Sequence, residues 1–262
     1  MLAVLDGVTL HYEAAGEGIP LVMIHGFPLS GSIWQNQLAG LADCCRVIVP
    51  DLRGFGKSAT TAGDCTMDSY ADDLVKLLDS LGISKAVFCG MSMGGYVVFN
   101  LLERYPERAL GACFMVTRGG AEDEAGKVRR TVLADEVLKS GAGAAAEVFS
   151  TSLFAPATIM GNPSLVENVR LLMLAADPAG LAGALLAMRD RADYSKRLAE
   201  FTLPALVIGA ADDMAIPPEE SRLLAAGLGN AKLCIIPQAG HMVMMEQPEA
   251  VNAALREFLA VF

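Results

Sequence analysis

The sequence is short of the residues that several kinds of chemistry require. It has three histidines and one tryptophan, and aromatics make up only 6% of its 262 residues. Positive charge is in the minority: 20 Lys+Arg stand against 30 Asp+Glu, a formal net charge of −10. Such a chain is repelled by phosphate backbones and anionic bilayers, which argues against nucleic acid and membrane surfaces as partners. The six cysteines, at 44, 45, 65, 89, 113 and 234, form no CxxC pair and no Cys/His ligand spacing. No metal site is therefore expected. Cys89, Cys113 and Cys234 sit inside apolar runs, and the set reads as reduced, buried thiols in a cytoplasm. The mean hydropathy of +0.42 calls for a check on membrane spans, but no run of about 18 uninterrupted apolar residues occurs. The first residues lack a basic stretch and Asp6 interrupts their apolar start, so they do not read as a signal peptide.

What is present is apolar side chain, at 53% of residues against 19% charged. That balance excludes disorder. The length suits a single α/β domain, able to bury about three quarters of its unfolded surface. Residues 21–24, 47–49, 86–89, 113–116, 206–208 and 233–236 are short, continuously apolar runs. Strands apolar on both sides belong to a mostly parallel sheet covered by helices on both faces. Residues 8–12 alternate in character, as a half-exposed edge strand does.

The intervening segments carry helical patterns. Tyr70, Leu74, Leu77, Leu78 and Leu81 share one face, with Asp72, Asp73, Lys76 and Asp79 opposite and Thr66 as N-cap. The helix after Gly94 is apolar nearly all round and should be central. Pro248 suits the first turn of a C-terminal amphipathic helix. Between Arg118 and Glu200 the alternation stops and helical patterns rich in Ala, Leu and Met take over. The expected organisation is a core of residues 1–117 and 201–262, with 118–200 as a helical cap.

Chemistry concentrates in few places. Gly90-Met91-Ser92-Met93-Gly94 fits G-x-S-x-G between an apolar strand and an apolar helix, the context in which a strained turn presents a serine nucleophile. A serine hydroxyl needs a base. His11 lies in the predicted edge strand and reads as structural, and His25 closes a strand. His241 follows the last strand, where the chain order Ser…Asp…His places the base. Asp212 and Asp213, after the run 206–210, could each orient its imidazole.

These segments carry a resemblance. HGFP at 25–28, DLRGFGKS at 51–58, GMSMGG at 90–95, DDMAIPP at 212–218 and AGHMVMMEQP at 239–248 resemble the α/β-hydrolase superfamily. The likeness extends over the whole chain and is greatest to small bacterial carboxylesterases, 3-oxoadipate enol-lactonases and cofactor-free haloperoxidase-perhydrolases. It implies an α/β-hydrolase fold with the cap inserted after the sixth strand. The family's G-x-x-D-x-x-x-P pattern selects Asp213, four residues before Pro217, although Ala210 stands where glycine is usual. It implies an oxyanion hole from the backbone N–H groups of Phe27 and Met93, with His25 bracing that loop. The Arg53-Gly54-x-Gly56-x-Ser58 turn resembles a structural turn of the family and lacks the spacing of a phosphate loop.

The function expected is hydrolysis of esters of small to medium, mainly apolar acids, with no cofactor and a small molecule as the one partner. Trp34, Leu29, Phe154 and Met188 are the expected pocket residues. Four alternatives share the scaffold. An enol-lactonase for anionic substrates would want a cation facing Ser92, with Arg118, Arg129, Arg130, Arg189 and Arg191 as candidates that otherwise read as exposed helix charges. Perhydrolysis could accompany the Pro28 loop. C–C bond hydrolysis and a ligand-sensing role complete the set. Serine at the turn disfavours the carboxylate-nucleophile dehalogenases and epoxide hydrolases.

Overall fold

The continuous apolar runs form one sheet. In this computed structural model, which describes residues 1–60, 65–150 and 152–262, the strands are β1 (Leu2–Leu5), β2 (Val8–Ala15), β3 (Pro20–Ile24), β4 (Arg46–Pro50), β5 (Ala86–Met91), β6 (Ala109–Met115), β7 (Ala205–Ala210) and β8 (Ala231–Ile236). Their order is β1-β2-β4-β3-β5-β6-β7-β8. The β1–β2 and β2–β4 pairs are antiparallel, and the remaining pairs are parallel. Alternate side chains feed two separate cores. Val22, Ile24, Phe88 and Phe114 join one, while Leu21, Met23, Val87, Cys89 and Met115 join the other. This is the two-residue period of a sheet covered on both faces.

The helices that cover it are α1 (Gln35–Gly40), α2 (Met67–Ser80), α3 (Met93–Arg104), α4 (Glu124–Ser140), α5 (Gly143–Phe149), α6 (Pro156–Gly161), α7 (Pro163–Leu174), α8 (Pro178–Arg189), α9 (Pro218–Gly227), α10 (Val243–Glu246) and α11 (Pro248–Leu259). Helices α2, α3 and α9 pack on one face, and α10 and α11 on the other. Thr66 caps α2 in a reciprocal box with Ser69, an arrangement worth about 1 kcal/mol. Ten successive residues of α3, 93–102, are buried, as its all-round apolarity predicts. Helices α4 to α8 lie between β6 and β7, the position expected for the cap. The Cα of Gly180, in the first turn of α8, sits against the backbone of Gly54, and any side chain there would overlap the Gly54 carbonyl. Among the described residues no single helix is long and apolar enough to cross a membrane.

Several local expectations are corrected. Strand β2 is not an edge, because β1 pairs outside it. The true edge at the other end is β8, where Leu233 is 41% exposed despite its apolar run. Four apolar residues in a row cannot by themselves distinguish a central strand from an edge one. Asp73, expected in solvent, is buried, and its carboxylate accepts two hydrogen bonds of 2.6 Å from Arg53. The loop carrying Arg53 covers that flank of α2, which a single-helix pattern does not register. Among the described residues no disulfide forms, but Cys44 is exposed and Cys65 and Cys234 are only half-buried. Cys234 owes this to its place on the edge strand.

Candidate active site

Ser92 stands between the end of β5 and the start of α3 with φ 52° and ψ −114°. A non-glycine residue in that region costs about 1–3 kcal/mol and persists only where its surroundings enforce it. Here they do. The Ser92 N–H donates to Met115 O at 2.9 Å, and its carbonyl accepts from Gly95 N–H at 2.9 Å and from Thr117 Oγ1 at 2.8 Å. The turn is thereby stitched to the end of β6. Gly94 lies so close to the Ile24 carbonyl of β3 that any Cβ would overlap it, which explains the glycine two residues after the serine.

His241 and Asp213 come from loops after the last two strands, and both are buried. His241 Nδ1 lies 2.7 Å from Asp213 Oδ2. Asp213 Oδ1 accepts from the N–H groups of Ala215, at 2.8 Å, and Ile216, at 2.9 Å. With Asp213 holding Nδ1–H, the basic lone pair of the neutral ring is on Nε2. Asp212 is exposed, and its N–H donates to Ala239 O. The structure therefore pairs Asp213, not Asp212, with the imidazole. Glu246 anchors the His241 loop: one carboxylate oxygen accepts from Gly240 N–H at 2.9 Å, and the other from Ala155 N–H at 2.9 Å and Thr158 Oγ1 at 2.5 Å. Sequence reasoning gave Glu246 no role, although it lies inside the AGHMVMMEQP segment at 239–248.

Ser92 and His241 line one cavity of about 120 Å³, together with Phe27, Phe149, Met188 and Ile216 among others. Met93 opens α3, so its N–H has no intrahelical acceptor. The Phe27 N–H has no hydrogen-bond partner among the described residues. Of the four expected pocket residues, Met188 lines this cavity. Trp34, Leu29 and Phe154 do not: all three are buried in the core on the α11 side of the sheet. Leu29 instead reaches a separate cavity of about 200 Å³ beside His11 and Asp51. Nearness in sequence to the Phe27 loop, or apolar character within the cap, does not determine which way a side chain turns. Arg118 and Arg130 also line the Ser92 cavity, and Arg191 is buried behind them, so these three are not exposed helix charges. Arg129 is exposed, and Arg189 pairs with Asp190 at 2.6 Å away from the cavity.

The other histidines have hydrogen-bond partners apart from the His241–Asp213 pair. His11 Nδ1 is 2.9 Å from Asp51 Oδ2. His25 is fully buried, with Nδ1–H donating to Gly26 O at 3.0 Å and Nε2 accepting from Leu52 N–H at 3.1 Å. Burial lowers its pKa, against smaller opposing effects of the Gly26 bond and the Asp51 charge. The unfolded chain, with an ordinary histidine pKa near 6.5, binds a proton that the folded one refuses. Stability is therefore complete above about pH 6.5 and declines as pH falls below it. The urea midpoint is expected to drop between pH 7 and pH 5. His25→Gln should lower the midpoint at pH 8, through about 1–3 kcal/mol of disrupted buried bonding, and should flatten the dependence. An unchanged slope in the variant would assign the pH effect to other groups.

Comparison with known proteins agrees with this architecture. Residues 19–248 match the family model for the alpha/beta hydrolase fold. The chain is 30% identical over 258 residues to 3-oxoadipate enol-lactonase 2 of Acinetobacter baylyi, covering 97% of this chain and 94% of that one. A thermophilic esterase from Thermogutta terrifontis, solved with malate bound, superposes with a TM-score of 0.97 at 37% identity, covering 100% of this chain and 98% of that one. An enol-lactonase from Burkholderia xenovorans superposes with a TM-score of 0.92 at 27% identity, covering 99% and 100%. With a family match over most of its length and a strained serine turn at the end of its fifth strand, the chain belongs to the α/β-hydrolase family.

Proposed function

We propose that the chain hydrolyses carboxylic esters through an acyl-enzyme on Ser92. The observation that carries this reading is the buried His241–Asp213 pair, 2.7 Å apart, on the same small cavity as Ser92. In the first step His241 Nε2 takes the hydroxyl proton while Ser92 Oγ attacks the ester carbonyl. The oxyanion that forms is stabilised by the N–H groups of Phe27 and Met93. The Ser92 amide is unavailable for this, because it is bonded to Met115 O. Each fixed donor of this kind is worth roughly 3 kcal/mol of barrier. The tetrahedral species collapses as the C–O bond to the alcohol breaks, and His241 returns the proton to the leaving oxygen. Water, deprotonated by His241, then attacks the acyl-enzyme and releases the acid and Ser92.

The cavity is small, about 120 Å³, and is walled by Phe27, Phe149, Leu153 and Met188, which favours short acyl chains. A second reading, the ring opening of an enol-lactone, is favoured by the enol-lactonase relatives. It keeps the same residues and changes only the leaving group, which stays attached to the acyl chain.

Both readings require Ser92 to be acylated. A fluorophosphonate should add once per chain, on the peptide carrying Ser92, and should abolish hydrolysis of p-nitrophenyl butyrate in proportion to labelling. Hydrolysis that survives complete labelling would overturn the acyl-enzyme.

A further inference from the structure

Three guanidinium groups converge on one carboxylate at the wall of the Ser92 cavity. The Glu122 side chain is only 6% exposed. Its Oε1 accepts from Arg130 Nε at 2.8 Å and Nη2 at 2.6 Å, from Arg191 Nη1 at 2.8 Å and from Arg118 Nη2 at 3.4 Å. Burial alone would raise the Glu122 pKa, but the Arg191 hydrogen bond and the Arg130 charge override it and bring it down to about 2. Glu122 is thus an anion at any ordinary pH.

The three arginines are not equivalent. Arg191 is satisfied: it donates to Gly120 O from two nitrogens and to Met188 O and Glu122 from a third, and its guanidinium lies 4.1 Å from the Tyr96 ring centroid. Arg130 gives two donors to Glu122, and its Nη1 has only the Met188 thioether, at 3.4 Å. Arg118 is the least satisfied. Its bond to Glu122 is long, the Tyr96 side chain lies beside it, and its Nε is buried with no partner. Arg118 and Arg130 line the cavity with Ser92 and His241. The other carboxylate acting on Arg118 is Glu220, half-buried on an adjoining groove. With Asp213 behind His241 on the same cavity, three cations meet three carboxylates there.

A buried donor without an acceptor costs about 1–3 kcal/mol, and more when charged. A guanidinium with unmet donors on a cavity wall is stabilised by an anion that enters. The guanidinium fork is shaped to hold a carboxylate with two parallel bonds. We propose that Arg118, supported by Arg130, forms a carboxylate subsite in the Ser92 cavity, and that the preferred substrates are esters whose acyl chain ends in a second, ionised carboxylate, such as hemiesters of small dicarboxylic acids. The inference rests on ester hydrolysis at Ser92. Glu122 is a positioning residue here: it fixes the Arg130 and Arg191 planes and holds Arg118 only by one long bond. The chain as a whole is acidic and repels anions at long range, so a local cationic cluster is what an anionic substrate needs.

The test compares monomethyl glutarate with methyl valerate, its neutral counterpart of equal chain length, followed by proton release at constant pH. The ratio of the two kcat/KM values is expected to exceed tenfold in favour of the hemiester. It should fall at least tenfold in Arg118→Gln and be partly restored in Arg118→Lys. Because the ratio is the readout, general damage to the cavity leaves it unchanged. A wild-type ratio near one, or a ratio indifferent to Arg118→Gln, overturns the subsite. A calorimetric titration of Ser92→Ala with glutarate reads the same site without turnover, and binding should weaken at least tenfold when Arg118→Gln is added. Glutarate binding without hydrolysis of either ester would sink the hydrolytic reading and leave the subsite standing. Hydrolysis of both esters at equal rates with no glutarate binding would do the reverse.

Discussion

Ser92→Ala is expected to lower kcat on p-nitrophenyl butyrate by about 10⁶-fold while leaving the fold intact. The substitution removes one atom, Oγ, which has no hydrogen-bond partner among the described residues. The contacts that hold the turn are to the Ser92 backbone: its N–H on Met115 O and its carbonyl on Gly95 N–H and Thr117 Oγ1. Alanine keeps all of them and sits in the same strained conformation. The thermal midpoint should therefore stay within a few degrees of the wild type. The residual rate over water, roughly 10³-fold, would come from the oxyanion donors and from binding. A loss of less than tenfold, in a variant with an unchanged midpoint, would rule out Ser92 as the nucleophile.

Asp213→Asn should cost about 10⁴-fold in kcat, again with little structural change. At 1.36 kcal/mol per decade this is about 5.4 kcal/mol of transition-state stabilisation. Asn can still offer an oxygen to the Ala215 and Ile216 N–H groups that Asp213 Oδ1 accepts from. Its amide nitrogen then faces His241 Nδ1 as a donor. The ring proton is forced onto Nε2, the nitrogen that must receive the serine proton, and the imidazolium loses its adjacent charge. Asp212→Asn supplies the contrast. Asp212 is exposed and its backbone bond to Ala239 does not depend on its side chain, so its kcat should remain within about twofold of wild type. A larger loss from Asp212→Asn than from Asp213→Asn would reverse the assignment.

The strained turn, the all-round apolar helix behind it and the Thr66 cap were readable because each depends on residues within a few positions of one another. G-x-S-x-G needs a strand before it and an apolar helix after it, and both patterns are continuous in the sequence. The choice between Asp212 and Asp213 was harder. The two are adjacent, and only the direction of the loop after β7 sends one inward to His241 and the other to solvent. The pocket was read least well. Trp34, Leu29 and Phe154 have the apolar character of pocket residues, yet they face the core on the far side of the sheet. Arg118 and Arg130 look like surface charges, yet they border the cavity. Burial of an arginine depends on whether a carboxylate such as Glu122 arrives from elsewhere to compensate it.

By itself the sequence determined a mostly parallel sheet covered on both faces, the position of the cap between β6 and β7, and the turn that presents Ser92. These follow from hydrophobic period and backbone sterics, which act over short stretches of chain, whereas the α/β-hydrolase fold and the choice of Asp213 came from the resemblance its motifs carry. Tertiary structure alone decided which side chains border the 120 Å³ cavity, and that three arginines from separate positions surround one glutamate. Those outcomes depend on segments far apart in sequence coming within hydrogen-bond distance, where a change of side-chain direction that no local pattern records exchanges solvent for a binding site.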